Sequence, residues 1–448
     1  MRRSLPRGLI DDRKGNVAII FALSLIPIVF LTGMAMDFSS AISKRVRLNA
    51  AADAAALAAV TPTMMGQTTT VAQAAAQNIF NGTAAGITGT SGVAPSINVT
   101  SSNGGLTRTV TVSYTANSVN AFPNVLGLLT GSSKASWPIS GTSTATASIQ
   151  PNINFYLLLD NSPSMAIPAT TAGINAMVSA TSNSPKNGGN EGGCAFACHE
   201  SNPSADNLGN PNGEDNYQLA KNLGVKTRIQ NTAAATQALM TTAQQTMAAN
   251  NAQYQMAIYT FNGSGTTTVQ SLTSNLTTAA TAASTIDVLQ VCKNNYLVCN
   301  TNNNDTDTSF QSAMSQLNGY MPNPGTGTAS STPQEVVFLV TDGVDDNNSG
   351  SCSQPLSGTR CQEPMNTAWC TKIKNRGIRI AVLYTEYLPM PGNSWYNQWV
   401  APFQSKISPN MQSCASSGLF FQITTDSDIS EAMQALFQKT IATARLTQ

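Results

Sequence analysis

Three oxygen-bearing side chains follow the apolar residues 155–159 at alternating positions: Asp160, Ser162 and Ser164. An uninterrupted apolar run is typical of a strand that is buried on both faces, and ligands bind where the strands of an open α/β sheet end. One carboxylate and two hydroxyls can converge on a small, hard cation. A turn with a helix cap explains the pattern nearly as well, so this motif alone does not identify a site.

Two later loops extend the pattern. A second apolar run, residues 336–340, is followed by Asp342, and Thr308 lies in a polar loop that enters an expected helix. The order of the three loops resembles the von Willebrand factor A (vWA) domain. The metal-ion-dependent adhesion site (MIDAS) of that family combines D-x-S-x-S with a threonine and an aspartate from two later loops. The resemblance covers residues from about 152 to the C-terminus.

The vWA resemblance implies an α/β fold with a doubly wound, mostly parallel sheet, and the alternation of expected strands and helices favours the same fold. An unrelated α/β domain with polar loop ends is the alternative. The five metal ligands that the resemblance implies are Asp160, Ser162, Ser164, Thr308 and Asp342. Thr306 also fits the second loop, so the choice between the two threonines stays open.

The expected ligands are all oxygens, which favours Mg²⁺, Mn²⁺ or Ca²⁺ over Zn²⁺. Four more acidic residues lie close to these loops in the sequence: Asp305, Asp307, Asp345 and Asp346. We expect these four to be solvated loop residues rather than ligands.

Composition limits the classes of function. The chain has 448 residues, a net charge of +1, and 10% charged residues. This length allows two or three domains with a sizeable core. A nucleic-acid-binding protein normally shows a basic surplus, and none is present. Low charge with many Asn, Thr, Ser and Gln residues favours an exported surface protein.

Residues 17–36 contain no charged side chain, and their 20 residues match the length of a helix that crosses a bilayer. Five basic residues precede this run and three follow it closely, which predicts a cytoplasmic N-terminus at residues 1–14. We therefore expect a single-pass inner-membrane protein with a periplasmic or surface-exposed C-terminal domain. A cleaved signal peptide is the alternative, because residues 33–35 (Gly-Met-Ala) offer a small-x-small site.

A second resemblance to a known family involves the predicted membrane-spanning run and the residues on either side of it. Residues 14–18 (Lys-Gly-Asn-Val-Ala), the apolar run, and the alanine-rich residues 48–59 are similar to the N-terminal segment of TadG-like proteins. These belong to the TadE/TadG group of the tight-adherence (Flp) pilus assembly system, in which a downstream A-type domain is also found. The resemblance implies a role in pilus assembly or in adhesion at the envelope.

The predicted organisation has four regions. Residues 1–14 are cytoplasmic, residues 15–60 form the transmembrane helix and its helical extension, residues 61–150 form a small α+β stem, and residues 151–448 form the vWA domain. Within the stem we expect a short helix in residues 116–129. Within the vWA domain we expect one long helix at residues 217–250 and Cys-bearing insertion loops at about residues 181–215, 288–307 and 344–364.

All eight cysteines lie beyond residue 190: Cys194, Cys198, Cys292, Cys299, Cys352, Cys361, Cys370 and Cys414. In an oxidising compartment this even number predicts up to four disulfides. The connectivity cannot be deduced from the sequence. Pairing of sequence neighbours would give 194–198, 292–299 and 352–361, and would leave 370 with 414.

Cys194, Cys198 and His199 form C-x-x-x-C-H, which resembles a stretched haem c attachment motif. A local disulfide beside an exposed histidine is favoured over haem. His199 is the only histidine, and the sequence contains no G-x-S-x-G, H-E-x-x-H or Walker A motif, so we do not expect an enzyme.

The function we expect is binding, in which the cation captures an acidic group of a protein partner, a pilus-assembly or envelope component. One alternative is a structural envelope protein whose metal only braces the fold. The other is a c-type-haem redox protein or a hydrolytic envelope enzyme. The partner and the oligomeric state stay open.

Overall fold

The chain forms two compact units, Met1–Ile149 and Gln150–Gln448. The computed structural model describes residues 15–122, 136–182, 193, 216–289, 307–348, 352–387, 389, 394–424 and 426–443.

Unit 1 (Met1–Ile149) combines one long helix with a three-stranded antiparallel sheet in the order β1-β2-β3. Its helices are α1 (Gly15–Ala58), α2 (Pro62–Met65) and α3 (Thr69–Ala85), and its strands are β1 (Thr90–Ser102), β2 (Thr107–Val119) and β3 (Ser136–Ser148). The helix predicted for residues 116–129 is wrong over 116–119. These residues continue β2, in which alternate side chains are buried. Residues 123–129 lie outside the described part of the chain.

The two halves of α1 have different surroundings. Side chains of the first half are exposed, with Ile20 at 66% and Leu31 at 68%. In the second half, Leu48 and several alanines are completely buried against α3 and the sheet. Among the described helices, only α1 is long and apolar enough to cross a membrane. The exposed apolar half and the buried second half together indicate a membrane-anchored protein.

The outer face of the unit 1 sheet consists of hydroxyl side chains that bond across the strands. Four pairs link β2 to β3 at oxygen–oxygen distances of 3.0–3.2 Å: Thr107–Ser148, Thr109–Thr146, Thr111–Thr144 and Ser113–Thr142. The three strands contain one charged residue, Arg108. It is buried on the other face, where its guanidinium donates to the carbonyls of Met64 and Gln67.

Unit 2 (Gln150–Gln448) alternates strands and helices. Its strands are β4 (Ile153–Asp160), β5 (Tyr254–Asn262), β6 (Gly265–Thr273), β7 (Gln334–Thr341), β8 (Val344–Asn347), β9 (Cys361–Pro364), β10 (Arg379–Thr385) and β11 (Phe420–Ile423). Its helices are α4 (Thr171–Ala180), α5 (Asn216–Asn222), α6 (Arg228–Asn250), α7 (Leu276–Ala283), α8 (Phe310–Tyr320), α9 (Ala368–Asn375), α10 (Ser394–Trp399), α11 (Gln404–Cys414) and α12 (Ile429–Thr443).

The main sheet of unit 2 has the order β11-β10-β7-β4-β5-β6, in which only β6 is antiparallel to its neighbour. Alternate residues of each central strand point to opposite faces of the sheet. Because the residues on both faces are apolar, helices cover both faces. Phe155 and Leu157 face the side of α6, α7 and α12, whereas Tyr156 and Leu158 face the side of α8, α9 and α11. The predicted fold class, a doubly wound and mostly parallel α/β sheet, is confirmed.

The single helix predicted for residues 217–250 is wrong, because the chain breaks between α5 and α6. Gly224 adopts a positive φ of 71°, a conformation that ends helices. A new helix then begins, and the Gln230 side chain accepts a hydrogen bond from the Thr227 N–H at 3.1 Å. The alanine-rich composition did not reveal this interruption.

Two disulfides of very different span stabilise unit 2. Cys352–Cys361 closes a loop of 9 residues, and Cys370–Cys414 joins α9 to α11 across 44 residues. They are two of the four predicted pairs. The other four cysteines lie outside the described residues.

We expect the pair of substitutions Cys370→Ala and Cys414→Ala to destabilise unit 2 by about 4 kcal/mol, against about 2.5 kcal/mol for Cys352→Ala with Cys361→Ala. The reason is that a longer closed loop removes more entropy from the unfolded chain. Urea unfolding of both double variants in oxidised form measures the difference. Equal losses would contradict this loop-entropy explanation.

A buried acid, Glu335, lies at the end of the sheet where β7 begins. The side chain is 1% exposed, and its Oε1 accepts a hydrogen bond from Asn154 Nδ2 at 3.1 Å. Burial raises the pKa of Glu335 to about 7, and hydrogen bonds from Tyr156 and Asn154 offset only part of this effect. The folded protein therefore holds a proton that the unfolded chain has released above about pH 4.5.

Because of that proton, we expect the contribution of Glu335 to the unfolding free energy to fall by up to about 3 kcal/mol as the pH rises from about 4.5 to 7. Glu335→Gln removes this contribution, so the unfolding free energy of the variant should fall less over that window. Denaturant unfolding of both proteins at several pH values isolates the effect, since all other groups titrate in both. If the unfolding free energies of the two proteins change in parallel with pH, Glu335 is ionised in the folded state over this window.

Candidate metal site at the carboxyl ends of the strands

Asp160 lies at the end of β4 and is completely buried. Its Oδ1 accepts a hydrogen bond from the Ser162 N–H at 2.9 Å, and its Oδ2 accepts one from Thr341 Oγ1 at 2.6 Å. The Thr341 hydroxyl thus joins the ends of the adjacent strands β4 and β7 and fixes the orientation of the carboxylate.

The two serines follow on a tight turn. Pro163 begins a single 3₁₀ turn, Pro163–Ala166, because its fixed φ suits the first position of a helical turn. The turn brings Ser162 Oγ and Ser164 Oγ to 3.1 Å from each other. The Ser164 hydroxyl also lies close enough to the Asp342 carboxylate to act on its pKa. The two serine hydroxyls therefore lie beside both carboxylates, Asp160 and Asp342.

Asp342 follows β7 and is 1% exposed. Its Oδ1 accepts from the Val344 N–H at 3.3 Å, while its Oδ2 is buried and has no hydrogen-bond partner among the described residues. A buried carboxylate oxygen without a partner is costly. An oxygen of this kind, next to two hydroxyls and a second carboxylate, fits a hard divalent cation.

Gly343 is required by the turn that carries Asp342. Its φ is 79°, and its N–H donates to Thr341 Oγ1 at 3.0 Å. A Cβ at this position would lie 2.7 Å from Ile407 Cγ2. Any other residue would therefore meet both an unfavourable backbone conformation and a steric clash.

Electrostatics also favours a cation here. Burial raises the pKa of Asp160 to about 7, and the nearby Asp342 carboxylate adds to the effect. Burial raises the pKa of Asp342 as well, whereas the Ser164 hydrogen bond and the charge of Arg228 act in the opposite direction. Two adjacent buried carboxylates repel each other, and a divalent cation between them would remove that repulsion.

Arg228 is a component of the site that sequence reasoning missed. It begins α6, is 4% exposed, and donates from Nη2 to the Glu386 carbonyl at 2.6 Å. Its Nη1 is buried without a hydrogen-bond partner among the described residues. A single arginine at the start of a helix carries no sequence signal for a role of this kind.

Thr308 reaches the same region through its backbone. It forms an isolated β-bridge with Asp346, in which each N–H donates to the other carbonyl at 2.9–3.0 Å. The side chain is 3% exposed, and no hydrogen bond in the described part of the chain connects its hydroxyl to Asp160 or Asp342. The structure thus places Asp160, Ser162, Ser164 and Asp342 next to one another, and it places the Thr308 backbone against Asp346, four residues beyond Asp342. The alternative, Thr306, lies outside the described residues.

The prediction that the neighbouring acids are solvated is wrong for Asp307, Asp345 and Asp346, which are 3–6% exposed. The β8–β9 hairpin and the start of α8 account for the difference, because they provide hydrogen-bond partners. Arg360 Nε donates to Asp346 Oδ1 at 2.7 Å, and the Phe310 N–H donates to Asp345 Oδ1 at 3.0 Å. Asp305 lies outside the described residues.

The Cys-His element proposed for haem falls outside the described part of the chain. Its residues are Cys194, Cys198 and His199. The predicted local disulfide of Cys194 and Cys198 therefore stays a prediction, with haem attachment as its alternative.

Several solved structures are similar to this chain at a low level. The pilus adhesin SpaC from Lactobacillus rhamnosus GG is 11% identical with a TM-score of 0.35, and the match covers 78% of this chain and 34% of SpaC. The vWF domain of the type V pili tip protein Mfa5 from Porphyromonas gingivalis is 9% identical with a TM-score of 0.35, covering 67% of this chain and 97% of that one. The PilB minor pilin from Streptococcus sanguinis is 10% identical with a TM-score of 0.30, covering 79% and 78%. This chain thus spans about a third of the length of SpaC.

No curated protein matches the chain. A family model described as "Putative Flp pilus-assembly TadE/G-like" matches residues 15–78, which comprise α1, α2 and the first part of α3. Apart from Lys14, the segment that the sequence resemblance singled out lies within this match. Residues 15–78 are therefore similar to the TadE/G-like family, and they precede a doubly wound α/β unit.

Proposed function

We propose that unit 2 binds a divalent cation, Mg²⁺ or else Mn²⁺ or Ca²⁺, at Asp160, Ser162, Ser164, Thr308 and Asp342. The site would capture an acidic group of a protein partner. The observation that carries the proposal is that two buried carboxylates, Asp160 and Asp342, lie close together beside the hydroxyls of Ser162 and Ser164. The buried Asp342 Oδ2 without a partner is the strongest sign that a ligand belongs there.

The residues of the site divide into three roles. Asp160 and Asp342 supply the negative charge, the serine and threonine hydroxyls supply neutral oxygens, and Thr341 holds Asp160 in place. When bound, a divalent cation would supply an open coordination position for an incoming carboxylate.

The charge balance favours capture of an anion. The two carboxylates contribute −2 and the nearby Arg228 contributes +1, whereas the charge of the nearby Asp346 is balanced by its ion pair with Arg360. A divalent ion would therefore leave the site with a net positive charge. A partner that presents Asp or Glu would supply the missing negative charge, whereas a basic partner would be repelled.

The setting that we propose is the bacterial envelope. The TadE/G-like segment supports a role in the assembly or anchoring of a tight-adherence pilus, or in adhesion. The apolar half of α1 would anchor the chain in the inner membrane, with the N-terminus in the cytoplasm and unit 2 exported. The disulfides of unit 2 are consistent with an oxidising compartment.

We expect Mg²⁺ to stabilise the wild-type protein by about 2.7 kcal/mol when its concentration is a hundredfold above Kd. The expected reason is that the folded site binds the ion and the unfolded chain does not. Asp342→Asn should abolish this increase and should not lower the stability of the metal-free protein, because it removes one of two repelling charges. Thermal unfolding in Mg²⁺ and in EDTA measures both quantities.

Asp345→Asn provides the matched control for this prediction. Asp345 is also a buried acid, and burial raises its pKa to about 7, but it is not among the proposed ligands. The control variant should keep the full response to Mg²⁺. An unchanged response in Asp342→Asn would refute the proposed ligand set.

The capture of a partner requires a separate test. We expect the wild-type chain to retain envelope proteins in Mg²⁺ and to release them in EDTA, and we expect Asp160→Ala to retain none while it stays folded. Circular dichroism and a pull-down from envelope extract supply the two readouts. Loss of fold together with loss of binding would favour the structural brace instead, and a Soret absorbance band in the purified protein would favour the haem hypothesis.

A further inference from the structure

A groove of about 310 Å³ lies in unit 1 where α1 leaves the apolar run. It is lined by Phe38, Ala41, Ile42, Arg45, Trp137, Pro138, Ile139 and Ser140. We propose that this groove binds an anionic phospholipid. The upper acyl chain would contact the aromatic and aliphatic wall, and Arg45 would contact the phosphate. This site is independent of the proposed metal site in unit 2.

The first argument is the position of the groove along α1. The uncharged run ends at residue 36, and at 1.5 Å per residue Phe38 lies about 3 Å beyond that end and Arg45 about 13 Å beyond it. The polar layer of a bilayer extends about 5–8 Å on each side of the hydrocarbon. Phe38 is therefore within this layer. The Arg45 side chain tilts back towards it, because helical side chains point to the helix N-terminus.

Contacts in unit 1 bring the residues that follow β2 to the same depth along α1 as Phe38. The Asp37 carboxylate accepts hydrogen bonds from the N–H groups of Ala121 and Phe122 at 2.7 and 3.2 Å. The Phe122 ring also packs so close to Gly33 that a Cβ there would lie 3.4 Å from it. Gly33 belongs to the apolar run. The residues that follow β2, Ala121 and Phe122, therefore reach the depth of the bilayer surface.

The chemistry of the groove fits a lipid. Phe38 and Trp137 form an edge-to-face pair with ring centroids 6.5 Å apart. Aromatic residues, tryptophan above all, concentrate where lipid meets water, because their rings are apolar and their edges are polar. Phe38 and Ile42 are 57% and 46% exposed. Apolar side chains that are about half exposed next to a membrane anchor are consistent with contact to acyl chains.

Charge identifies the headgroup class. Arg45 is exposed and forms no ion pair within the described residues. Lys44, by contrast, donates to Ser118 Oγ and to the Val119 carbonyl. A guanidinium forms bidentate hydrogen bonds with phosphate oxygens. Because none of the described residues that line the groove is acidic, an anionic headgroup is preferred over a zwitterionic one.

The test uses the full chain reconstituted in phosphatidylcholine vesicles that contain a low fraction of brominated lipid, since bromine quenches nearby tryptophan fluorescence. At the same mole fraction in the vesicles, we expect brominated phosphatidylglycerol to quench the tryptophan fluorescence more than brominated phosphatidylcholine. The reason is that the groove should bind phosphatidylglycerol about fivefold more tightly. Trp137→Phe should remove this difference, because the other three tryptophans lie in unit 2.

Arg45→Gln and Arg47→Gln form the matched pair of variants. Both residues are exposed on α1, but only Arg45 lines the groove. The Arg45 contact with Tyr114 uses the backbone carbonyl, so the fold should survive the substitution. Arg45→Gln should abolish the preference for phosphatidylglycerol, and Arg47→Gln should keep it. Equal quenching by both lipids in the wild type, or equal losses in both variants, would overturn the proposal.

Discussion

The hydrogen bond from Thr341 Oγ1 to Asp160 Oδ2 is the interaction on which the geometry of the candidate metal site depends. It connects the ends of β4 and β7, the two central strands, and it is completely buried. The same hydroxyl accepts from the Gly343 N–H, which sets the turn that places Asp342. One threonine thus positions both carboxylates of the candidate site. Without it, two buried charges would lie at the end of a sheet with little to fix their orientation.

The fold of unit 2 could be predicted because its signals are local and repeated. Residues 155–159 and 336–340 are apolar throughout, and a strand covered by helices on both faces is the expected result. The relation of Asp160 to Asp342 then follows from parallel pairing, which brings the ends of neighbouring strands to one edge. The five predicted ligands also depended on the resemblance to a known family. Pattern alone would not have chosen Thr308 over Thr306.

The parts that could not be predicted depend on contacts between distant residues. The free-energy cost of burying the Asp346 carboxylate is offset by hydrogen bonds from Arg360 and Gln362, and no local sequence pattern links these three residues. The break between α5 and α6 depends on one glycine within an otherwise helical composition. The strand β6 and the helix α11 carry only weak sequence signals, the first because Thr-rich edge strands resemble loops and the second because Pro409 lies within it.

The rows of paired hydroxyls on unit 1 also determine how this unit responds to its surroundings. Hydroxyl–hydroxyl hydrogen bonds involve no net charge, so dissolved ions do not screen them as they screen ion pairs. The only charged residue in the three strands, Arg108, is buried and bonded to backbone carbonyls. The sheet next to the anchor should therefore keep its structure from fresh water to brine. This tolerance would suit a protein whose surroundings vary in ionic strength.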